Sequence, residues 1–297
     1  MAALRFTVAL ALRNAHILLP KLERSEDAVD RVARAVDGAI SDVKASYTLS
    51  ASVRRQTVAN ETAAPLENCT EWGGDEDARA PAVLESGCLL RWVLTLCFSA
   101  LSDAQAEVCE EARLSLSGFC MGFMQSAIHR TSATDDDEVD DAAEADGVVQ
   151  SSPALRIYVE RFVTLAQEGG SAKTRRKLKR LQAAVESAAD DVAKAAASKK
   201  LDNNIAKAKW KETTGVLALA AVVTAFPHHL PLVLPAALAQ LASHGSSRNP
   251  VARECAKQTT SKFKASHSEN WTALKRFFST DQLESLEGEL FALSYFA

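Results

Sequence analysis

Tyr295 and Phe296 stand directly before the carboxylate of Ala297, in the closing stretch "GELFALSYFA". Taken alone, Leu293, Tyr295 and Phe296 read as rings and a leucine packed on the last helix. The other reading is an extended tail that a partner protein receives with its rings and its carboxylate. Each ring carries about 150–250 Å² of surface, worth several kcal/mol gross at about 25 cal/mol/Å². Ordering a free tail takes back about 1–2 kcal/mol per residue. Such a tail therefore needs a broad docking surface beside it.

Catalytic chemistry finds no comparable group. The sequence has no G-x-S-x-G elbow, no phosphate-binding glycine loop and no H-E-x-x-H pair. His228 and His229 are adjacent, so on regular structure they point apart and read as a helix-end pair, not a metal site. The six cysteines, Cys69, Cys88, Cys97, Cys109, Cys120 and Cys255, show no C-x-x-C spacing and read as reduced thiols, most of them buried. The reading is a non-enzyme that holds neither metal nor cofactor of its own. "KTRRKLKR" is the sharpest charge cluster: Lys173, Arg175, Arg176, Lys177, Lys179 and Arg180 put six cations in eight residues. It suits the acidic groove of a nuclear import receptor or a phosphate-rich ligand, against the plainer reading of a solvated helix start.

The elements that must position these groups read as helices. Glycine (12) and proline (8) are few for a sandwich of many short strands, and alanine-rich runs favour helix. Val29, Val32, Val36, Ile40 and Val43 step by three and four along one helical face. Residues 1–20 read as a buried helix, and residues 50–80 as a polar loop. Pro81 opens an apolar helix, and Asp103 can cap the next. Eight of the twelve residues at 135–146 are acidic, which predicts a disordered linker over 131–152. Beyond it, Gly169 and Gly170 break a helix. A long helix is predicted next, with Leu178, Leu181, Val185, Ala188 and Val192 on one stripe.

The last hundred residues are the clearest. "KETTGVLALAAVVTAF" predicts a helix ended by Pro227, and "LPLVLPAALAQLASH" a second with Pro231 and Pro235 near its start. Asn249 and Pro250 stand as cap and first residue of a third. "SENWTALKRFF" predicts another helix, and Ser279 with Gln282 has capping-box spacing at the start of the last. Short breaks force neighbours antiparallel, so the predicted fold is all-α, a HEAT/ARM-like superhelical solenoid of helical hairpins. The organisation reads as a weakly defined region 1–80, a helical hairpin at 81–130, the linker, helices with the basic run at 153–200, and a final helical domain at 201–297. No stretch reaches the length of an apolar membrane span. A net charge of −4 argues against a chain that is a nucleic-acid binder as a whole.

One frame in that final domain is distinctive: Phe263, His267, Asn270 and Trp271, in the spacing F-x-x-x-H-x-x-N-W, followed by Thr280, Asp281, Gln282 and Leu283 and an aromatic pair before a terminal alanine. It resembles the end of the large proteasome activators, the proteasome activator complex subunit 4 family with the yeast bleomycin-sensitivity activator. The resemblance is strong over about the last 85 residues, weaker back to about residue 80, and absent before. It implies a HEAT-like solenoid that caps the proteasome core particle and opens its gate without ATP or ubiquitin, in nucleus and cytoplasm. It implies a docking tail, here Tyr295, Phe296 and Ala297, entering a pocket between outer-ring subunits. Phe296 stands where the family usually has tyrosine, and family members are several times longer than this chain. The resemblance also implies acetylated histones as partners and inositol phosphates as ligands, with neither assignable to residues here. Membrane and direct nucleic-acid partners are not expected.

Overall fold

The computed structural model describes residues 28–46, 86–101, 103, 106–131, 148–149, 153–188 and 190–290. The predicted helix at 1–20, the loop at 50–80, most of the acidic linker and the tail from residue 291 lie outside the described residues. The chain divides into two compact units, residues 1–126 and 127–297.

In the first unit, α1 (Ala28–Ser46) packs against α2 (Ser86–Ala100). Val32, Val36 and Val43 are buried and Ile40 is half-buried, which is the face their spacing predicts. Across from them α2 buries Leu90, Val93, Leu94, Cys97 and Phe98. A two-pronged ion pair ties the rim: Arg91 donates from Nε to Asp42 Oδ2 at 2.8 Å and from Nη2 to Oδ1 at 2.6 Å. α3 (Ala106–Thr131) buries Val108, Ala112, Leu116, Phe119 and Cys120 at helical spacing. Burial pushes the Cys97 thiol up to about 12 and the Cys120 thiol up as well. Both are therefore inert as nucleophiles, since only a thiolate attacks.

The second unit contains α4 (Pro153–Gly170), α5 (Ala172–Glu186), α6 (Asp191–Ala225), α7 (Leu234–Ser243), α8 (Pro250–His267), the single turn α9 (Trp271–Leu274) and α10 (Thr280–Leu290). A two-residue parallel pairing, β1 (Val148–Val149) with β2 (Leu230–Pro231), is the only strand structure among the described residues. The fold is otherwise all-α. Helix α6 is its axis: α4, α5, α7 and α8 all pack on it. Every residue from Thr213 to Val223 is buried, so this part of α6 is enclosed on all sides rather than on one stripe. α4 approaches it backbone to backbone. A Cβ on Gly215 would lie 2.5 Å from the Ala166 nitrogen, and one on Gly169 would run into the backbone of Glu212. Glycine is needed at both positions because nothing larger fits the crossing.

The structure corrects the sequence reading at three places. The predicted stripe forms only as far as the break: Leu178, Leu181, Val185 and Ala188 are half-buried, but α5 ends at Glu186, Asp190 stands at the cap of α6, and Val192 is 82% exposed. Ser187 and the Asp190–Asp191 pair favour a break because their side chains compete for backbone bonds. Leu230 and Pro231 are strand rather than helix, since a residue before proline avoids the helical region. The helix then starts at Leu234 with Pro235 in its first turn. Finally, "SENWTALKRFF" forms only one α-turn, continued by a 3-10 turn over Lys275–Phe277.

Candidate functional site

The residues of the F-x-x-x-H-x-x-N-W frame come together where α8 turns into α9. Phe263 and His267 are one helical turn apart on α8, so their rings stack, with centroids 4.2 Å apart and planes at 22°. Trp271 meets the Phe263 ring edge-on at 6.4 Å, and Phe278 lies against Trp271 at 5.5 Å. Lys275 Nζ sits 6.0 Å from the centre of the Trp271 ring, within reach of a cation–π attraction. Spacing therefore encodes a four-ring cluster that fixes the sharp turn leading to the last helix.

His267 forms one end of this row of rings, against Phe263, and is 6% exposed. Its Nδ1 lies 3.1 Å from the Phe263 carbonyl and 2.8 Å from Ser266 Oγ. A carbonyl only accepts, so Nδ1 carries the proton and the buried Nε2 presents a lone pair with no partner among the described residues. Burial holds the ring below the ordinary histidine range; the Phe263 carbonyl opposes this and nearby His228 adds to it. Protonation would place an unpaired N–H in an apolar setting, so the neutral ring is the folded form.

Asn270 is exposed; its carbonyl accepts from the Leu274 N–H at 3.0 Å and it makes no side-chain cap bond. Ser279 and Gln282 form the reciprocal capping box that their spacing predicts. The Ser279 N–H donates to Gln282 Oε1 at 2.9 Å, and the Gln282 N–H donates to Ser279 Oγ at 3.3 Å. Thr280 opens α10, and Asp281 places a carboxylate in its first turn, where the helix dipole favours it. Leu283 is half-buried and Leu286 is fully buried. α10 packs on α7 and α8. The helix that carries the chain toward Tyr295, Phe296 and Ala297 is thus seated on the bundle, while those three residues lie outside the described part.

A second cluster was not legible from spacing. Glu212 on α6 takes a hydrogen bond from Ser247 Oγ at 2.6 Å and meets His244 Nδ1 at 3.1 Å. His244 Nε2 is 3.0 Å from Gln240, which in turn accepts from Gln167 on α4. Asn249 donates to Thr213 Oγ1 at 2.8 Å. Asn249 is the cap residue of α8 as predicted, but its side chain clamps α8 to α6 instead of bonding its own helix. Burial alone would raise the Glu212 carboxyl; the bonds from His244, Ser247 and Asn249 and the His244 charge outweigh it, and the group lies below its ordinary range. Serine, histidine and glutamate are the residue types of a hydrolytic triad, yet the geometry is different. The Ser247 hydroxyl proton goes to the carboxylate, and the far nitrogen of His244 faces an amide, so no base stands beside the hydroxyl. The network holds α4, α6, α7 and α8 together.

The six cations of the basic run, Lys173, Arg175, Arg176, Lys177, Lys179 and Arg180, all lie on α5 and all are exposed. Ser171 caps that helix by accepting from the Thr174 N–H at 3.1 Å. Among the described residues no group of histidine, cysteine and carboxylate side chains could hold a metal ion, and no helix is long and apolar enough to cross a membrane.

Comparison with known proteins places the similarity in this carboxyl-terminal region. Residues 209–297 match the family described as proteasome activator complex subunit 4-like, C-terminal. Over 87 residues the chain is 34% identical to proteasome activator complex subunit 4 of Homo sapiens, covering 29% of this chain and 5% of that protein. It is 34% identical over 83 residues to proteasome activator complex subunit 4B of Danio rerio, covering 28% and 4%. With proteasome activator BLM10 of Saccharomyces cerevisiae it shares 35% over 95 residues, covering 31% and 4%. The matched stretch therefore spans a twentieth or less of the length of these relatives. It includes the whole Phe263–Trp271 frame and runs to the last residue. No solved structure gives a significant match.

Proposed function

We propose that this chain is a proteasome activator segment that docks on the outer ring of the core particle through Tyr295, Phe296 and Ala297 and promotes gate opening without ATP or ubiquitin. The observation that carries the reading is the match of residues 209–297 to the carboxyl-terminal family of proteasome activator complex subunit 4. The local structure is in keeping with it. A docking tail needs a rigid base, because affinity spent on ordering that base is lost to binding. Capping box, aromatic cluster and buried Leu286 provide one. Within this reading the helices of residues 153–290 are the end of a HEAT-like stack, and the protein works in nucleus and cytoplasm.

Phe296 makes a specific difference. Lacking the hydroxyl that the family's usual tyrosine carries, it forgoes about 0.5–1.5 kcal/mol of hydrogen bonding, roughly two- to twelve-fold in affinity. Register comes from the terminal carboxylate, since one added residue displaces it by about 3.5 Å.

Co-sedimentation with purified core particles tests the reading. Wild-type chain is expected in the core-particle fraction, and a chain lacking Tyr295–Ala297 is expected to stay behind. Equal co-sedimentation of the two rules out the tail. Hydrolysis of a fluorogenic peptide by core particles reports opening, and Phe296→Tyr is expected to raise it.

A further inference from the structure

The whole-chain charge conceals a local reversal. Residues 172–209 hold eleven cations against four anions, a net of seven positive charges in a chain whose total is −4. In the structure this stretch is a helical hairpin. Gly170, just ahead of α5, lies beside Glu212 of α6, and the break at 187–190 joins the opposite ends, so α5 and the first half of α6 run antiparallel. The hairpin has almost no interior: α5 buries no residue, and the first buried residue of α6 is Trp210. Leu178, Leu181 and Val185 are half-buried along its seam.

Two features of α5 run against its own stability. Its first turn carries Lys173 and Arg175 and no acidic residue, although the positive end of a helix dipole disfavours cations there. Lys173, Arg176, Lys177 and Arg180 also repeat at three- and four-residue steps, so like charges stack along one face. Lys207 aside, none of the eleven side chains forms an ion pair or hydrogen bond among the described residues. A helix that stacks exposed cations at its own positive end suits an anionic ligand.

We infer that the hairpin of residues 172–209 binds double-helical nucleic acid through its phosphate backbone. The six cations of α5, from Lys173 to Arg180, extend along about 10 Å at 1.5 Å per residue, the length of about three phosphate steps of 3.4 Å along one strand of a duplex. Their placement on an exposed hairpin, rather than around a cavity, selects an extended polyanion over a compact polyphosphate. The stretch contains no phenylalanine, tyrosine or tryptophan, so it has no platform for unstacked bases and no ring to anchor in a lipid surface. Alanines at 172, 183, 184, 193, 195, 196 and 197 keep the surface low between the long cationic side chains. Recognition is independent of base sequence, because cations that meet only phosphates carry no sequence information.

The test is equilibrium binding of the full chain to fluorescent 20-base-pair DNA and RNA duplexes between 50 and 200 mM salt. Four phosphate contacts predict a slope of about −3.6 in log K against log salt, roughly a hundredfold loss across that range. Arg176→Gln/Lys177→Gln/Arg180→Gln should flatten the slope by about 3. Lys257→Gln/Lys262→Gln, two exposed lysines on α8, should leave it unchanged. Removing like charges from an exposed face should not lower the melting temperature, which separates lost binding from lost folding. Failure to bind either duplex, or an unchanged slope in the triple variant, overturns the inference. Tighter binding of single strands, of polyglutamate or of inositol hexakisphosphate overturns it as well, in favour of an unstacked strand, an acidic protein or a compact polyphosphate.

Discussion

Helix α6 contains two different proteins in one rod. From Asp191 to Lys209 it is exposed or half-exposed, rich in alanine and lysine, and touched mainly by one equally charged partner. From Trp210 to Ala225 it is the most enclosed element among the described residues, with α4, α7 and α8 around it. The backbone conformation is the same throughout. In the first half it rests on propensity, because alanine and lysine lose little entropy in a helix. In the second half it rests on burial, which tolerates valine and threonine despite their stiffness in helices. A helix continuous over 35 residues is thus no evidence that one force maintains it.

That contrast can be broken by mutation. Trp210 is 1% exposed at the junction, and Trp210→Ala should cost about 3–5 kcal/mol in chemical denaturation. A loss below about 1 kcal/mol would show that the enclosed half does not hold the bundle. Gly215→Ala should cost about 1–3 kcal/mol, because its methyl group would press on the Ala166 backbone. Neutral behaviour would mean that α4 and α6 are farther apart than described. The pH effect comes next in size. His267 has a lowered folded-state value, so its contribution to stability is complete above the ordinary histidine range and is lost as pH falls through the lowered one. The melting temperature should therefore drop as pH falls below about 6.5, and His267→Gln should make that segment of the profile flatter. At the small end, Val192→Lys in the exposed half should stay within about 0.5 kcal/mol, which a thermal melt would check.

Legibility followed the same division. The capping box was legible because a bond between residues three apart is settled by local geometry. So was the face Val32, Val36, Val43, since period 3.6 survives any packing partner. The stripe from Leu178 to Val192 stopped short for the converse reason: in an alanine-rich run periodicity continues across a break that only Ser187 and Asp190 announce. Asn249 was recognisable as a cap residue, but its bond to Thr213 depends on how closely α8 meets α6. Glu212 and His244 stand 32 residues apart in sequence, and nothing in their spacing announces a contact.

What the sequence determined unaided was local or periodic: helical content, caps, the aromatic frame at three- and four-residue steps, the charge of the hairpin and the order of residues at the tail. Each depends on atoms within about one helical turn, where covalent geometry leaves few alternatives. The tertiary structure decided which half of α6 is enclosed, which glycines admit a backbone crossing, and which buried polar groups find each other. Those outcomes depend on the approach of elements distant in the chain, where close packing sets distances to within a fraction of an ångström.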